Sequence, residues 1–231
     1  MIELNLTEQE IQAEQASFIS KVYAWMSTAL LITGMVAWYT ANSTVMTEFI
    51  FGNQAVFFGL LIGELLLVGV LAGLVKRMSA MTATLIFILY SALNGLTMSF
   101  IFLVYTSESV SSTFLVTSLT FGVMSAFGYF TKRDLTSIGN IMYMGLIGII
   151  IASVVNIFFA NEMLYWIITY VGVLVFVGLT AYDTQKIKAM NIIGNEGTDE
   201  DRKEAIMGAL TLYLDFINLF LMLLRLLGSR K

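Results

Sequence analysis

A chain of 231 residues that is 58% hydrophobic and only 12% charged, where a soluble domain carries about 25% charge, lacks the polar surface to cover an apolar core and belongs in lipid. It contains no His, Cys or Pro, which excludes imidazole triads, His-built zinc sites, disulfides, thiol nucleophiles and proline-kinked helices. The net charge of -4 offers nucleic acid no electrostatic footprint, and no cofactor is expected.

Residues 1–21 read as an N-terminal tail carrying Glu3, Glu8, Glu10 and Glu14 against Lys21. It has neither the basic start nor the small-residue cleavage site of a secretory signal. Residues 22–231 read as one transmembrane domain, with apolar runs at 22–40, 54–75, 80–104, 113–130, 141–160, 163–182 and 206–227. Each run matches the ~17–25 residues that cross the hydrocarbon as a helix, so the expected fold is an all-α integral membrane protein of seven spans. Spans one to three and four to six can be grouped as two bundles. Gly59 with Gly63, and Gly69 with Gly73, are small-xxx-small pairs expected to let a neighbouring helix approach span two. Trp38, Tyr39 and Trp166 fall near span ends, where an aromatic belt would lie.

Lys and Arg occur in the tail (Lys21) and in loops two (Lys76, Arg77), four (Lys132, Arg133) and six (Lys186, Lys188, Arg202, Lys203), and are absent from loops one, three and five. This alternation predicts a cytoplasmic N-terminus and a multi-pass protein of the inner, or plasma, membrane. Seven spans then carry Arg225, Arg230 and Lys231 outside, against the rule. Either the last helix spans against its charges or it re-enters; its length favours spanning. Before it, the turn Gly194-Asn195-Glu196-Gly197 and the acidic run after Thr198 predict a helix capped by Thr198 that starts ahead of the membrane.

Three acids stand inside or at the end of apolar runs: Glu64, Asp183 and Asp215. An ionisable group at a helix centre costs ~2.5–3.5 kcal/mol on insertion, so such residues face protein or water and are functional candidates. Glu64 could be no more than a hydrogen-bonded packing device, and Asp183, followed by Lys186 and Lys188, could be simply interfacial. On the last span Gly208, Thr211, Asp215, Asn218, Met222 and Arg225 recur at steps of three and four, one small and polar stripe in an otherwise apolar helix. That stripe suggests a helix surrounded by the other six. Thr169, Gly172, Phe176, Thr180 and Asp183 form a weaker stripe on span six; if the two stripes face each other, the two Asp side chains can share a proton.

Such a pair suits two chemistries. Asp183 and Asp215, with Asn218, Thr211 and Glu64, could supply some of the 6–8 oxygens that calcium takes, water providing the rest, as a permeation or gating site. Alternatively the two Asp could serve an intramembrane aspartyl protease. Tyr182-Asp183 fits its first motif, but Leu212-Tyr213-Leu214-Asp215 does not fit the expected Gly-x-Gly-Asp, and no Pro is present for Pro-Ala-Leu.

The stretch Gly208-Ala209-Leu210-Thr211-Leu212-Tyr213-Leu214-Asp215-Phe216-Ile217-Asn218-Leu219-Phe220, with Leu223-Leu224-Arg225, Tyr182-Asp183-Thr184-Gln185 and Thr131-Lys132-Arg133-Asp134-Leu135, resembles the Bax inhibitor-1 (transmembrane Bax inhibitor motif) family, bacterial branch. The resemblance implies seven helices with the seventh central, and a non-enzymatic, pH-sensitive calcium leak through the membrane. It makes Asp183 and Asp215 a hydrogen-bonded pair that senses pH, and likens Glu64 to an acid midway along the second helix of some members. Some members carry an Arg near the inner end of that helix that latches the pore; here Val75 is followed by Lys76 and Arg77, and the sequence does not fix which of them, if either, takes that place. Bacterial relatives are also read as partners that restrain a membrane-anchored ATP-dependent protease; no sequence determinant for that activity is visible.

Overall fold

In a computed structural model the described residues are 7–231; residues 1–6 of the tail, Glu3 among them, lie outside that range. Nine α-helices follow in the described residues: α1 (Glu8–Ala41), α2 (Thr44–Phe51), α3 (Gln54–Leu74), α4 (Ala80–Met98), α5 (Phe100–Val104), α6 (Ser107–Phe130), α7 (Thr136–Phe159), α8 (Glu162–Met190) and α9 (Asp199–Leu227). Seven segments are long and apolar enough to cross a membrane, α4 and α5 together forming one. The helices outrun the apolar runs. The tail is helical from Glu8 because Thr7 and Glu10 form a capping box, Thr7 Oγ1 accepting from the Glu10 amide at 3.3 Å and Glu10 Oε2 from the Thr7 amide at 2.7 Å.

Two further features were not expected from the pattern. Loop one holds the short helix α2, capped by Ser43, and span three is interrupted at Ser99, whose hydroxyl donates to the Leu96 carbonyl at 2.6 Å. With no proline available, the hydroxyl satisfies the carbonyl that the break frees. By contrast α9 is one unbroken helix of 29 residues, about 43 Å at 1.5 Å per residue, and a re-entrant segment would need a break that is not there. Its start follows the turn as the sequence suggests. Gly194 and Gly197 take positive φ of 90° and 80°, Thr198 Oγ1 accepts from the Asp201 amide at 3.2 Å, and Asp201 Oδ2 reaches back to the Gly197 amide at 2.9 Å.

The chain divides into two compact units, Met1–Val104 with Lys188–Tyr213, and Tyr105–Ile187 with Leu214–Lys231. The first holds spans one to three, the second spans four to six, and α9 contributes to both. In the first unit α1 packs along α4. Gly95 makes this possible: a Cβ there would stand 2.8 Å from the Thr33 carbonyl of α1. Thr33 Oγ1 donates to the Ser91 carbonyl at 2.8 Å and shares a 2.7 Å hydrogen bond with the hydroxyl of buried Tyr213. The Tyr213 ring meets Phe87 and Tyr90 edge to face.

In the second unit the core gathers Ile149, Phe176, Leu179, Leu219 and Met222, and the rings of Phe114 and Phe121 close on Phe216. Here too a glycine sets the approach of two helices. A Cβ on Gly128 of α6 would fall 2.1 Å from the Ala181 carbonyl of α8, an overlap that only backbone movement could relieve.

The glycine pairs of span two do not do this. At Gly59, Gly63, Gly69 and Gly73 an added Cβ would meet nothing within 4 Å, so the expectation that they admit a neighbouring helix is corrected. Small-xxx-small spacing reports a smooth face and not what covers it. Around these glycines α3 exposes Phe58, Ile62, Leu65 and Leu66, the side chains of a lipid-facing surface.

Candidate functional site

Asp183 lies near the C-terminal end of α8 and Asp215 midway along α9, and both are buried in the second unit. Helix α7 supplies a third partner. Gly139 of α7 lies against the ring of Tyr182, where a Cβ would be 2.4 Å away, and this contact brings Tyr143, one turn further on, to Asp183. The Tyr143 hydroxyl donates to Asp183 Oδ1 at 3.0 Å and Oδ2 at 3.3 Å. The carboxyl groups of Asp183 and Asp215 meet in a side-chain hydrogen bond, while Asp215 Oδ2 is buried without another partner. Two carboxylates this close repel, and a proton on one would turn the contact into an O–H donor facing an acceptor. Nearer the other end of the same two helices Gly172 is covered by Met222, whose sulfur would lie 2.8 Å from an added Cβ.

One cation faces the pair from its own helix. Lys186 Nζ lies 5.9 Å from the ring centroids of both Tyr143 and Tyr182 and acts on Asp183 through its charge. Just beyond, Gln185 closes the end of the unit by accepting from the Leu135 amide and donating to the Arg133 carbonyl, both at 2.9 Å. The residues 131–135 and 182–185 that carried the family resemblance are therefore in direct contact. In that loop the Thr136 hydroxyl and amide hold the Asp134 carboxyl below the usual carboxylate range.

The remaining candidates have other partners. Asn218 Nδ2 donates to the Leu214 carbonyl at 2.8 Å and Thr211 Oγ1 to the Met207 carbonyl at 3.0 Å; each turns a donor back onto α9 and keeps an acceptor oxygen to offer. Thr211 and Glu64 belong to the first unit. Glu64 Oε1 accepts from Thr97 Oγ1 at 2.8 Å, and one turn away Asn94 Nδ2 donates to the Tyr90 hydroxyl at 3.3 Å while Asn94 Oδ1 is buried without a partner. Among the described residues no three Asp or Glu side chains converge as a metal cluster.

Tyr143 and Thr97, the donors to two of the three acids, were not among the candidates. A hydroxyl in an apolar run satisfies its own helix as readily as a distant acid, so neither position signals its partner.

The family model described as inhibitor of apoptosis-promoting Bax1 matches residues 15–231. The inner membrane protein YbhL of Escherichia coli (strain K12) is 54% identical over 216 residues, covering 93% of this chain and 92% of the relative. An uncharacterized protein of Borreliella burgdorferi is 44% identical over 231 residues, covering 100% and 99%, and one of Rickettsia prowazekii is 44% identical over 219 residues, covering 93% and 90%. The match runs through all seven spanning segments and both aspartate motifs, and the chain is accordingly a member of the Bax inhibitor-1 family, an all-α multi-pass membrane protein.

Proposed function

We propose that the protein is a pH-sensitive calcium leak of the inner membrane, with its N-terminus in the cytoplasm, in which Asp183 and Asp215 both attract the ion and bind the proton that controls its passage. The observation that carries this reading is the hydrogen-bonded carboxyl pair, buried between α8 and α9 with the Tyr143 hydroxyl on one member. With the shared proton in place the pair holds one charge, and without it two. Proton binding and cation binding are thus linked at the same atoms. Glu64, Asn218 and Thr211 are read as further oxygen donors along the ion's route. The activity is non-enzymatic and needs no cofactor; calcium is cargo, and the membrane lipid is the surrounding partner. The membrane assignment is supported by the name of the Escherichia coli relative, and the orientation by the Lys and Arg alternation.

The test is calcium flux into liposomes that hold the purified protein, scanned over pH. Asp215→Asn and Asp183→Asn each retain shape and a hydrogen-bonding group but abolish the shared proton, and each should give a flux that no longer responds to pH. A response unchanged in both variants removes the pair as sensor. Wild-type protein that passes no calcium at any pH overturns the leak and favours restraint of a membrane-anchored protease. Cleavage of a model transmembrane peptide, lost in both variants, assigns the carboxyl pair to proteolysis instead.

A further inference from the structure

Arg225 and Arg230, which run against the charge rule for the end of the chain, both line one cavity. It belongs to the second unit, has a volume of about 580 Å3, and is walled also by Asn161, Glu162, Tyr165 and Trp166. That volume falls within the roughly 300–1,000 Å3 of small-ligand sites. The charged groups on its wall are two guanidiniums against one carboxylate.

Both guanidiniums are held in place, and what holds them is aromatic or phenolic. Arg225 lies over the ring of Tyr165, 5.5 Å from its centroid. The Arg230 side chain hydrogen-bonds to the hydroxyls of Tyr105 and Tyr165. Its backbone is strapped to the start of α6: Arg230 bridges Tyr105, the Thr106 amide donates to the Ser229 carbonyl at 3.1 Å, and the Ser229 amide donates to Ser109 Oγ at 2.9 Å. Stacking and phenol contacts position an arginine without neutralising it, so the planar forks keep their full charge for an anion. The same ends of α7 and α8 expose Phe158, Phe159, Met163 and Tyr170, and Trp166 stands between Tyr165 and Tyr170 in a row of rings. An apolar surface beside aromatic rings and fixed cations is the arrangement found where acyl chains give way to headgroups.

We propose that this cavity binds the phosphate headgroup of an anionic membrane lipid, with Arg225 and Arg230 gripping the phosphate and the acyl chains lying along the exposed ends of α7 and α8. The site is independent of the calcium reading. It also gives the positive charge at the end of α9 a partner on whichever side of the membrane it lies.

The experiment is native mass spectrometry of the detergent-solubilised full chain, titrated in turn with phosphatidylglycerol, with phosphatidylcholine, and with phosphatidylglycerol in the presence of inorganic phosphate. One phosphatidylglycerol should be retained more tightly than phosphatidylcholine. Arg230→Gln, which lies beyond α9, should weaken it about five- to tenfold, as expected for loss of one charge-assisted contact near the headgroup plane. Arg225→Lys, which keeps the charge and loses the fork, should weaken it less. Lys231→Gln removes a neighbouring charge that does not line the cavity and should leave binding unchanged. Equal retention of the two lipids, or wild-type retention by Arg230→Gln, overturns the proposal. Displacement of the lipid by millimolar inorganic phosphate overturns the lipid as ligand and assigns the site to a free anion.

Discussion

Glu64 is an acid in a lipid-spanning helix whose hydrogen bond comes from a neighbouring span, through the Thr97 hydroxyl. Charge and hydrogen bonding at this residue can be separated. Glu64→Gln keeps an acceptor for Thr97 and loses the field that draws a cation, so calcium flux should fall while the thermal midpoint holds. Thr97→Val keeps the acid and removes its donor, so stability should fall by about 1–3 kcal/mol, the cost of stripping a hydrogen bond from a partly buried polar group. Flux and thermal unfolding measured on both purified variants decide; normal flux in Glu64→Gln with lowered stability assigns Glu64 to packing. At this scale the three acids were legible because a charge within an apolar run is conspicuous. Their donors were not, since Thr97 and Tyr143 differ in no local feature from other hydroxyl residues in the spans.

The helices themselves were legible as apolar runs, and their extensions less so. The start of α1 was encoded after all in Thr7 and Glu10, three apart and reciprocally bonded. The break at Ser99 has no such mark, because a serine in a span ordinarily bonds back to its own helix without interrupting it. Where the extensions of α1 and α9 leave the apolar runs they are tied to loop six. Lys21 donates to Asp201 at 2.9 Å and approaches Glu196 at 3.4 Å; the Ser17 hydroxyl donates to Glu196 at 2.6 Å; and Glu14 accepts from the Gly194 amide at 2.8 Å.

The Ser17 hydroxyl, and after it Lys21, hold the Glu196 carboxyl below its usual range. A depressed folded-state pKa stabilises the fold above the unfolded value, and that contribution is lost as the pH falls through the lowered one. Amide hydrogen exchange in residues 191–198, corrected for the intrinsic effect of pH, should therefore accelerate below the ordinary carboxylate range. Glu196→Gln should exchange fast already at neutral pH and show a flatter profile; protection in this variant equal to wild type would exclude Glu196 as a tie.

For the whole molecule, seven segments are long and apolar enough to span, and an odd number of crossings predicts the two ends of the chain on opposite sides of the membrane. Hydropathy alone was sufficient for that count, because a run of twenty apolar residues has few ways to satisfy its backbone other than as a membrane helix. A reporter fused within loop six should be active in the cytoplasm and one fused after Lys231 outside it. Cytoplasmic activity from both would require α9 to turn back. The grouping of the first six spans into two sets of three was open in the sequence, since no repeat of fixed period marks it. Each unit's contacts depend on single residues far apart in the chain, such as Thr33 with Ser91, or Ser125 with Thr184.

The contact of Gly128 with the Ala181 carbonyl bears on how such a chain can diverge. A Cβ at 2.1 Å from a backbone oxygen leaves no smaller neighbour to trim in exchange, so no second substitution elsewhere can compensate for a side chain at 128. The codon is frozen by the geometry of two main chains. In a saturation library selected for folded protein in the membrane, position 128 should return glycine alone. Positions 59, 63, 69 and 73, where an added Cβ meets open space, should return a spread of apolar residues. Recovery of alanine at 128 at a frequency like theirs would show that α6 and α8 can separate without loss of the fold.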